Sequence, residues 1–190
     1  MLFHATIGSI PIKPNIVALA AVTIDGKIAR HANHFPDWTS QEDKTFFQSM
    51  LEKSEVFVIG NNTYKTAEEP LSKRNCIIFT RSVQDTERRG DHLLLYNGAG
   101  KTSIESLLEP YRSVALLGGA QVYSYFLERD LIDDLYLTIE PIIFGQGLNL
   151  FEHETESTTR LQLASMRQMN PQGTVLLHYQ RPPAGLPNLK

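Results

Sequence analysis

The sequence predicts an α/β fold: a single domain built on a mixed, mostly parallel sheet flanked by helices, with a C-terminal antiparallel hairpin. Three observations predict it. Short apolar runs alternate with stretches of helical spacing from residue 15 to residue 129, the pattern of strand–helix–strand units. The helical signal then stops, and two strand-like stretches flank Asn170-Pro171-Gln172-Gly173, a hairpin turn. Finally, 190 residues with 42% hydrophobic content suit one domain with a substantial core.

The elements follow in order. Residues 1–14 read as an N-terminal extension ending at Pro14, 15–181 as the domain, and 182–190 as a proline-rich tail. Asn15–Thr23 is a near-continuous apolar run, which suits a strand buried on both faces. Ile24-Asp25-Gly26-Lys27 breaks it, and a polar loop follows. Thr39–Ser54 reads as a helix, Glu55–Ile59 as a strand ended by Gly60, and Asn61–Ala67 as a short helix. Strands are expected at Cys76–Thr80, Leu93–Tyr96 and Val114–Leu117, and helices at Ser103–Tyr111 and Ala120–Arg129. Leu135–Ile143, Leu161–Met169 and Thr174–Gln180 complete the sheet. The charged stretches Glu68–Arg74 and Gln84–Asp91 read as solvated loops.

Composition excludes several functions. Net charge is −3, from 18 Lys+Arg against 21 Asp+Glu, which argues against a nucleic-acid binder. One cysteine, Cys76, excludes an intramolecular disulfide and a thiolate zinc cluster. No apolar run approaches the roughly 18–20 residues of a membrane span. The N-terminus lacks the basic start and apolar core of a signal peptide. A cytoplasmic protein without a membrane partner is expected. Six histidines are present, of which only His31 and His34 are close, with no third ligand, so no metal site is expected.

The first helix carries the most information. Phe46, Phe47, Met50 and Leu51 define its apolar face. Thr39 as N-cap with Glu42 as its capping-box partner leaves Asp43 free, on the apolar face. A buried acid needs a partner. Two readings are open: Ser40 is the cap with Asp43 as its box partner, or Asp43 faces a cleft and serves binding or proton transfer. Trp38 is open in the same way between core packing and the cleft.

Two glycine turns follow strands. Gly60 precedes Asn61-Asn62-Thr63-Tyr64, and Gly118-Gly119 precedes Ala120-Gln121-Val122-Tyr123. Each lets backbone approach a ligand, and each helix start offers free N–H groups to an anion. Together they could hold two parts of a dinucleotide, though the G-x-G-x-x-G fingerprint is absent. Thr80-Arg81-Ser82 could meet a phosphate. Gly145 and Gly147 read as a turn.

These motifs, in this order, resemble the dihydrofolate reductase superfamily, including the pyrimidine reductases of riboflavin biosynthesis. VALAAV with the Ile24–Ala29 loop is similar to the family's opening strand and active-site loop. Trp38, Asp43 and Phe46-Phe47 are similar to its Trp–acid–aromatic pattern. VFVIGNNTY and LLGGAQVY resemble its two cofactor turns. The resemblance implies NADPH as cofactor. It makes Asp43 and Thr138 the catalytic pair. Ala21, Phe47, Arg74 and Leu117 join them in binding substrate, with Arg74 on the glutamate carboxylate of a folate. Cofactor contacts fall to Ala21, Ile28, Gly60, Asn61, Asn62, Thr63, Thr80, Arg81, Ser82, Leu117, Gly118, Gly119, Ala120, Gln121, Val122 and Tyr123. Asn61 stands where dihydrofolate reductases carry an arginine for the 2′-phosphate, so the choice between NADPH and NADH stays open and turns on whether Arg81 supplies that charge. EPIIFGQGLNLF is closer to the riboflavin-pathway branch, which implies a homodimer.

The resulting expectation is an NADPH-dependent reductase of 7,8-dihydrofolate. The alternatives are the ribosylaminopyrimidine reductase of riboflavin synthesis and, in another class, a nucleotide-binding module without catalysis.

Overall fold

The computed structural model describes residues 13–32, 34–152 and 158–182. The expected extension and tail therefore lie almost wholly outside the described residues.

The chain builds a nine-stranded sheet around β1 (Asn15–Thr23). β1 pairs in parallel with β7 (Ser113–Gly118) on one side and with β8 (Asp134–Glu140) on the other. Beyond β7 the parallel order continues through β3 (Val56–Gly60), β4 (Cys76–Phe79) and β6 (Leu93–Tyr96). Beyond β8 lie the antiparallel strands β11 (Val175–Gln180) and β10 (Gln162–Gln168). The mixed, mostly parallel sheet with a C-terminal hairpin is thus as the alternation predicts. The hairpin turn is an Asx turn, in which the Asn170 side chain accepts the N–H groups of Gly173 and Thr174.

Alternation within strands sorts the core into two layers. Val56 and Val58 face α4 (Ile104–Leu108) and α5 (Ala120–Glu128). Phe57 and Ile59 face α1 (Gln41–Glu52), α2 (Asn61–Thr66) and α3 (Glu68–Leu71). Both faces of the central strands are buried, which is why they read as unbroken apolar runs.

Five elements depart from expectation. The charged stretches hold α3 and β5 (Thr86–Arg89). α3 forms because Leu71 is buried against the α1 side of the sheet. β5 is exposed throughout and forms by pairing with β6, a ladder that its sequence TERR does not announce. The loop after β1 contains β2 (Lys27–Ala29), paired with β9 (Leu148–Asn149). β8 ends at Glu140, before Pro141, which cannot continue the ladder.

Candidate active site

The site begins with how α1 starts. The N-cap is Ser40 rather than Thr39: its Oγ accepts the Asp43 N–H at 3.3 Å. In a complete capping box the Asp43 carboxyl would return to the Ser40 N–H. That N–H instead donates to Oε1 of Glu140 at 2.7 Å. The Asp43 carboxyl is released from capping and takes the side chains of Thr138 and Thr39 as hydrogen-bond partners. Burial pushes its proton affinity above the usual carboxylate range, opposed by those two hydroxyls and reinforced by the nearby Glu140 charge.

The wider fit is a ladder between α1 and β8. Tyr136, Thr138 and Glu140, at spacing two, share one face of the strand. They meet Phe46, Asp43 and Ser40, at spacing three along the helix. The Phe46 and Tyr136 rings lie 5.4 Å apart, and the other two rungs are the hydrogen bonds just given. Tyr136 is backed by His178, stacked at 4.0 Å and bonded through Nε2 to Asp134 at 2.6 Å.

Asp43 and Thr138 line a cavity of about 630 Å³. It opens at the carboxyl ends of β1, β3 and β7, through Ala21, Ile59 and Leu117, where open α/β sheets bind ligands. Trp38, Phe46, Phe47 and Tyr136 supply aromatic walls. The Trp38 indole N–H is buried without a partner among the described residues. Arg74 lines the far side, its guanidinium donating to the Leu51 carbonyl at 2.9 Å and lying 5.2 Å from the Phe57 ring centroid.

A glycine cradle lies against the cavity. A Cβ on Gly60 would stand 3.3 Å from the Gly119 nitrogen, so the β3 and β7 turns touch. No side chain caps α2 or α5, which leaves their first N–H groups to other partners. Gly119, Ala120, Thr63 and Tyr123 line the cavity. The Gly118–Gly119 peptide is cis. Gly118 has φ +86°, and a Cβ there would lie 2.7 Å from the Tyr123 ring, so only glycine fits. The Tyr123 hydroxyl donates to the Leu19 carbonyl; burial raises its proton affinity.

Of the residues singled out by sequence, Ala21, Ile28, Asp43, Phe47, Thr63, Arg74, Leu117, Gly119, Ala120, Tyr123 and Thr138 line this one cavity. Gly60 and Gly118 end β3 and β7, and Asn61, Asn62 and Gln121 fall in the first turns of α2 and α5, beside the cavity lining. Val122 packs in the core. Thr80, Arg81 and Ser82 lie beyond the cavity, at the end of β4. Sequence reasoning missed Glu140 and Phe144. The period-two pattern Thr138-x-Glu140 could have found the first. Phe144 gathers Arg30, His34 and Trp38 around its ring. Its N–H and that of Gly145 donate to Asp25, at 3.1 and 2.8 Å, closing the loop after β1 over the cavity edge.

Comparison with known proteins agrees with this fold. The RibD C-terminal domain family matches residues 101–175. An uncharacterized protein of Bacillus subtilis, YwjB, is 28% identical over 174 residues, covering 87% of this chain and 97% of its own. The riboflavin biosynthesis protein RibD of Corynebacterium ammoniagenes is 27% identical over 169 residues, covering 78% of this chain and 49% of its own, so the chain spans about half of that relative. A solved dihydrofolate reductase from Enterococcus faecalis, complexed with NADP(H), superposes with a TM-score of 0.64 at 20% identity, over 90% of this chain and 98% of its own.

Proposed function

We propose that this chain, whose fold is that of the dihydrofolate reductase superfamily, is an NADPH-dependent reductase of a pterin, with 7,8-dihydrofolate the favoured substrate. The observation that carries the reading is the Asp43 carboxyl, buried, freed from helix capping and aimed with Thr138 into the same cavity as the glycine cradle. An ionised carboxyl only accepts hydrogen bonds. A pterin presents a matching edge, with an amino group and a ring N–H side by side. The N3 edge of a uracil, one N–H between two carbonyls, matches less well.

The residues present fit the cofactor. The uncapped starts of α2 and α5 offer N–H groups to its phosphates, and Gly119 leaves room for close approach. Bound there, NADPH supplies the hydride. The protein supplies the rest. Asp43 binds and polarises the pterin, and Thr138 holds Asp43 in place. Trp38, Phe46 and Phe47 flank the ring, and Arg74 pairs with the anionic tail. Water passing the Ile24–Ala29 loop brings the proton to the ring nitrogen.

The second reading, reduction of the ribosylaminopyrimidine intermediate of riboflavin synthesis, is supported by the RibD-type match over residues 101–175 and by the RibD relative. Loss of NADPH absorbance, measured with each substrate separately, decides between them. Dihydrofolate turnover whose Michaelis constant rises in Arg74→Ala supports the first reading. Turnover of the pyrimidine alone, indifferent to Arg74→Ala, supports the second. NADPH binding without oxidation by either refutes both and leaves a non-catalytic nucleotide-binding module.

A further inference from the structure

Glu140 is a buried carboxyl that does not line the cavity and has no partner among substrate-facing groups. Its Oε1 accepts the Ser40 N–H and its Oε2 the Thr174 hydroxyl, both at 2.7 Å. Thr174 Oγ1 also accepts from Asn170 Nδ2 at 2.9 Å, and the same Nδ2 reaches Glu42 at 3.2 Å. The β10–β11 turn and the first turn of α1 are thus tied twice, through Glu140 and through the Asn170–Glu42 bond.

Placing a carboxyl there is costly unless it does something a neutral group would not. Two donors and the start of a helix offset part of that cost. What the placement achieves is visible in the cap. Ser40 Oγ and the Asp43 N–H form half of a capping box; the other half, which belongs to the Asp43 carboxyl, is filled by Glu140. Without it, the Ser40 N–H would be the nearest strong donor for Asp43, and the carboxyl would turn back along its own helix.

We propose that Glu140 is a positioning residue for Asp43: it completes the α1 cap in place of Asp43 and sets a second buried negative charge behind the carboxyl that faces the cavity. The kinetic consequence rests on the reductase reading; the structural one does not. The Glu140 charge favours the protonated form of Asp43. The other charged or titratable groups around Asp43 are Lys44 and Glu42 on its own helix, Tyr136 on β8, and His34, Arg74 and Tyr123 on other walls of the cavity.

The test is a carbon NMR titration of the Asp43 carboxyl in the free chain, assigned with Asp43→Asn. Glu140→Gln keeps an oxygen for Ser40 and removes the charge; Glu140→Ala removes both. The Asp43 midpoint is expected to fall by about half a pH unit or more in Glu140→Gln, a roughly threefold loss of proton affinity, and further in Glu140→Ala. In Glu140→Ala the Michaelis constant for the pterin rises while that for NADPH holds. A midpoint that stays within about 0.2 of a pH unit, or rises, overturns the proposal. Should Glu140→Gln fail to fold, Glu140→Ala carries the test alone: the Asp43 midpoint must fall there by the same margin, and an unmoved midpoint again overturns the proposal. A titration that moves in a chain that reduces no substrate upholds the role of Glu140 and refutes the reductase reading; turnover that needs Asp43 beside an unmoved titration does the reverse.

Discussion

Replacing Gly119 with alanine separates cofactor binding from folding. The backbone at Gly119 has φ −74° and ψ −160°, which any residue adopts. The nearest atom to an added Cβ is Thr63 Oγ1 at 3.4 Å, an ordinary contact. The methyl group costs the fold nothing, and lower chain entropy in the unfolded state adds about 0.4–1 kcal/mol of stability. Both Gly119 and Thr63 line the cavity, so on the proposed reading the same methyl group occupies space that a phosphate would need to reach the α5 N–H groups. Losing one hydrogen bond to a charged oxygen costs about 1.5–3 kcal/mol, a roughly 10- to 150-fold weaker Kd for NADPH. Gly118→Ala supplies the contrast. Its φ of +86° and the Tyr123 ring 2.7 Å from the added atom combine left-handed strain of about 1–2 kcal/mol with overpacking of about 1–3 kcal/mol. At roughly 2–4 °C per kcal/mol, Tm falls by about 4–20 °C. Thermal melts and NADPH fluorescence titrations measure both quantities. A Gly119→Ala chain that binds NADPH within about twofold of wild type would falsify the cradle.

Three further predictions follow from the same geometry. Asp43→Asn lowers turnover by about 10²-fold or more while raising stability at neutral pH. Burial raises the proton affinity of Asp43 in the folded chain, so between the two midpoints the folded chain binds more protons and stability falls as pH rises. Asparagine escapes that loss, so the Tm advantage of the variant must grow from acid to neutral pH; a constant or negative difference contradicts the assignment. Asp25→Ala removes the acceptor for Phe144 and Gly145; backbone amide exchange at 144–145 should speed up while that of β7 is unchanged. Hydrogen bonds from Thr23 and from the Phe144 and Gly145 N–H groups hold Asp25 below the usual carboxylate range, so in wild type the protection of those two amides, taken relative to their intrinsic exchange at each pH, should drop as pH falls through its folded midpoint. Cys76, buried and pushed up to about 12, should resist thiol reagents at mildly alkaline pH in the folded chain and react once denaturant is added; fast native labelling would contradict its burial.

Much of the fold was legible because both core layers leave local marks. The runs NIVALAAVT and VFVIG read as buried strands without reference to partners, and they are. β5 was not legible, since all four of its residues are exposed and only the β6 edge makes them a strand. β2 and β9 are three and two residues long, too short for any periodicity to register. In the candidate site, Asp43 stood out because an acid on an apolar face needs a reason. What the sequence left open was the cap. Thr39 and Ser40 are equally good local candidates, and the choice is made by Glu140, one hundred residues from Ser40. Local chemistry cannot rank two caps when the deciding acceptor arrives on a different strand.

The three rungs between α1 and β8 also limit how such a chain can change length. A helix advances about 1.5 Å per residue and a strand about 3.3 Å. Six residues from Ser40 to Phe46 therefore cover about 9 Å, against about 13 Å for four residues from Glu140 to Tyr136. The two scales agree only near the middle, where the short side chains Asp43 and Thr138 meet. Long side chains, Glu140 at one end and the Phe46–Tyr136 rings at the other, span the growing offset. One residue inserted into either segment would break register between the rungs on its two sides, because it turns a helix by about 100° and flips a strand face. Insertions and deletions should be tolerated instead outside both segments, where they leave undisturbed the single point at which helix and strand coincide.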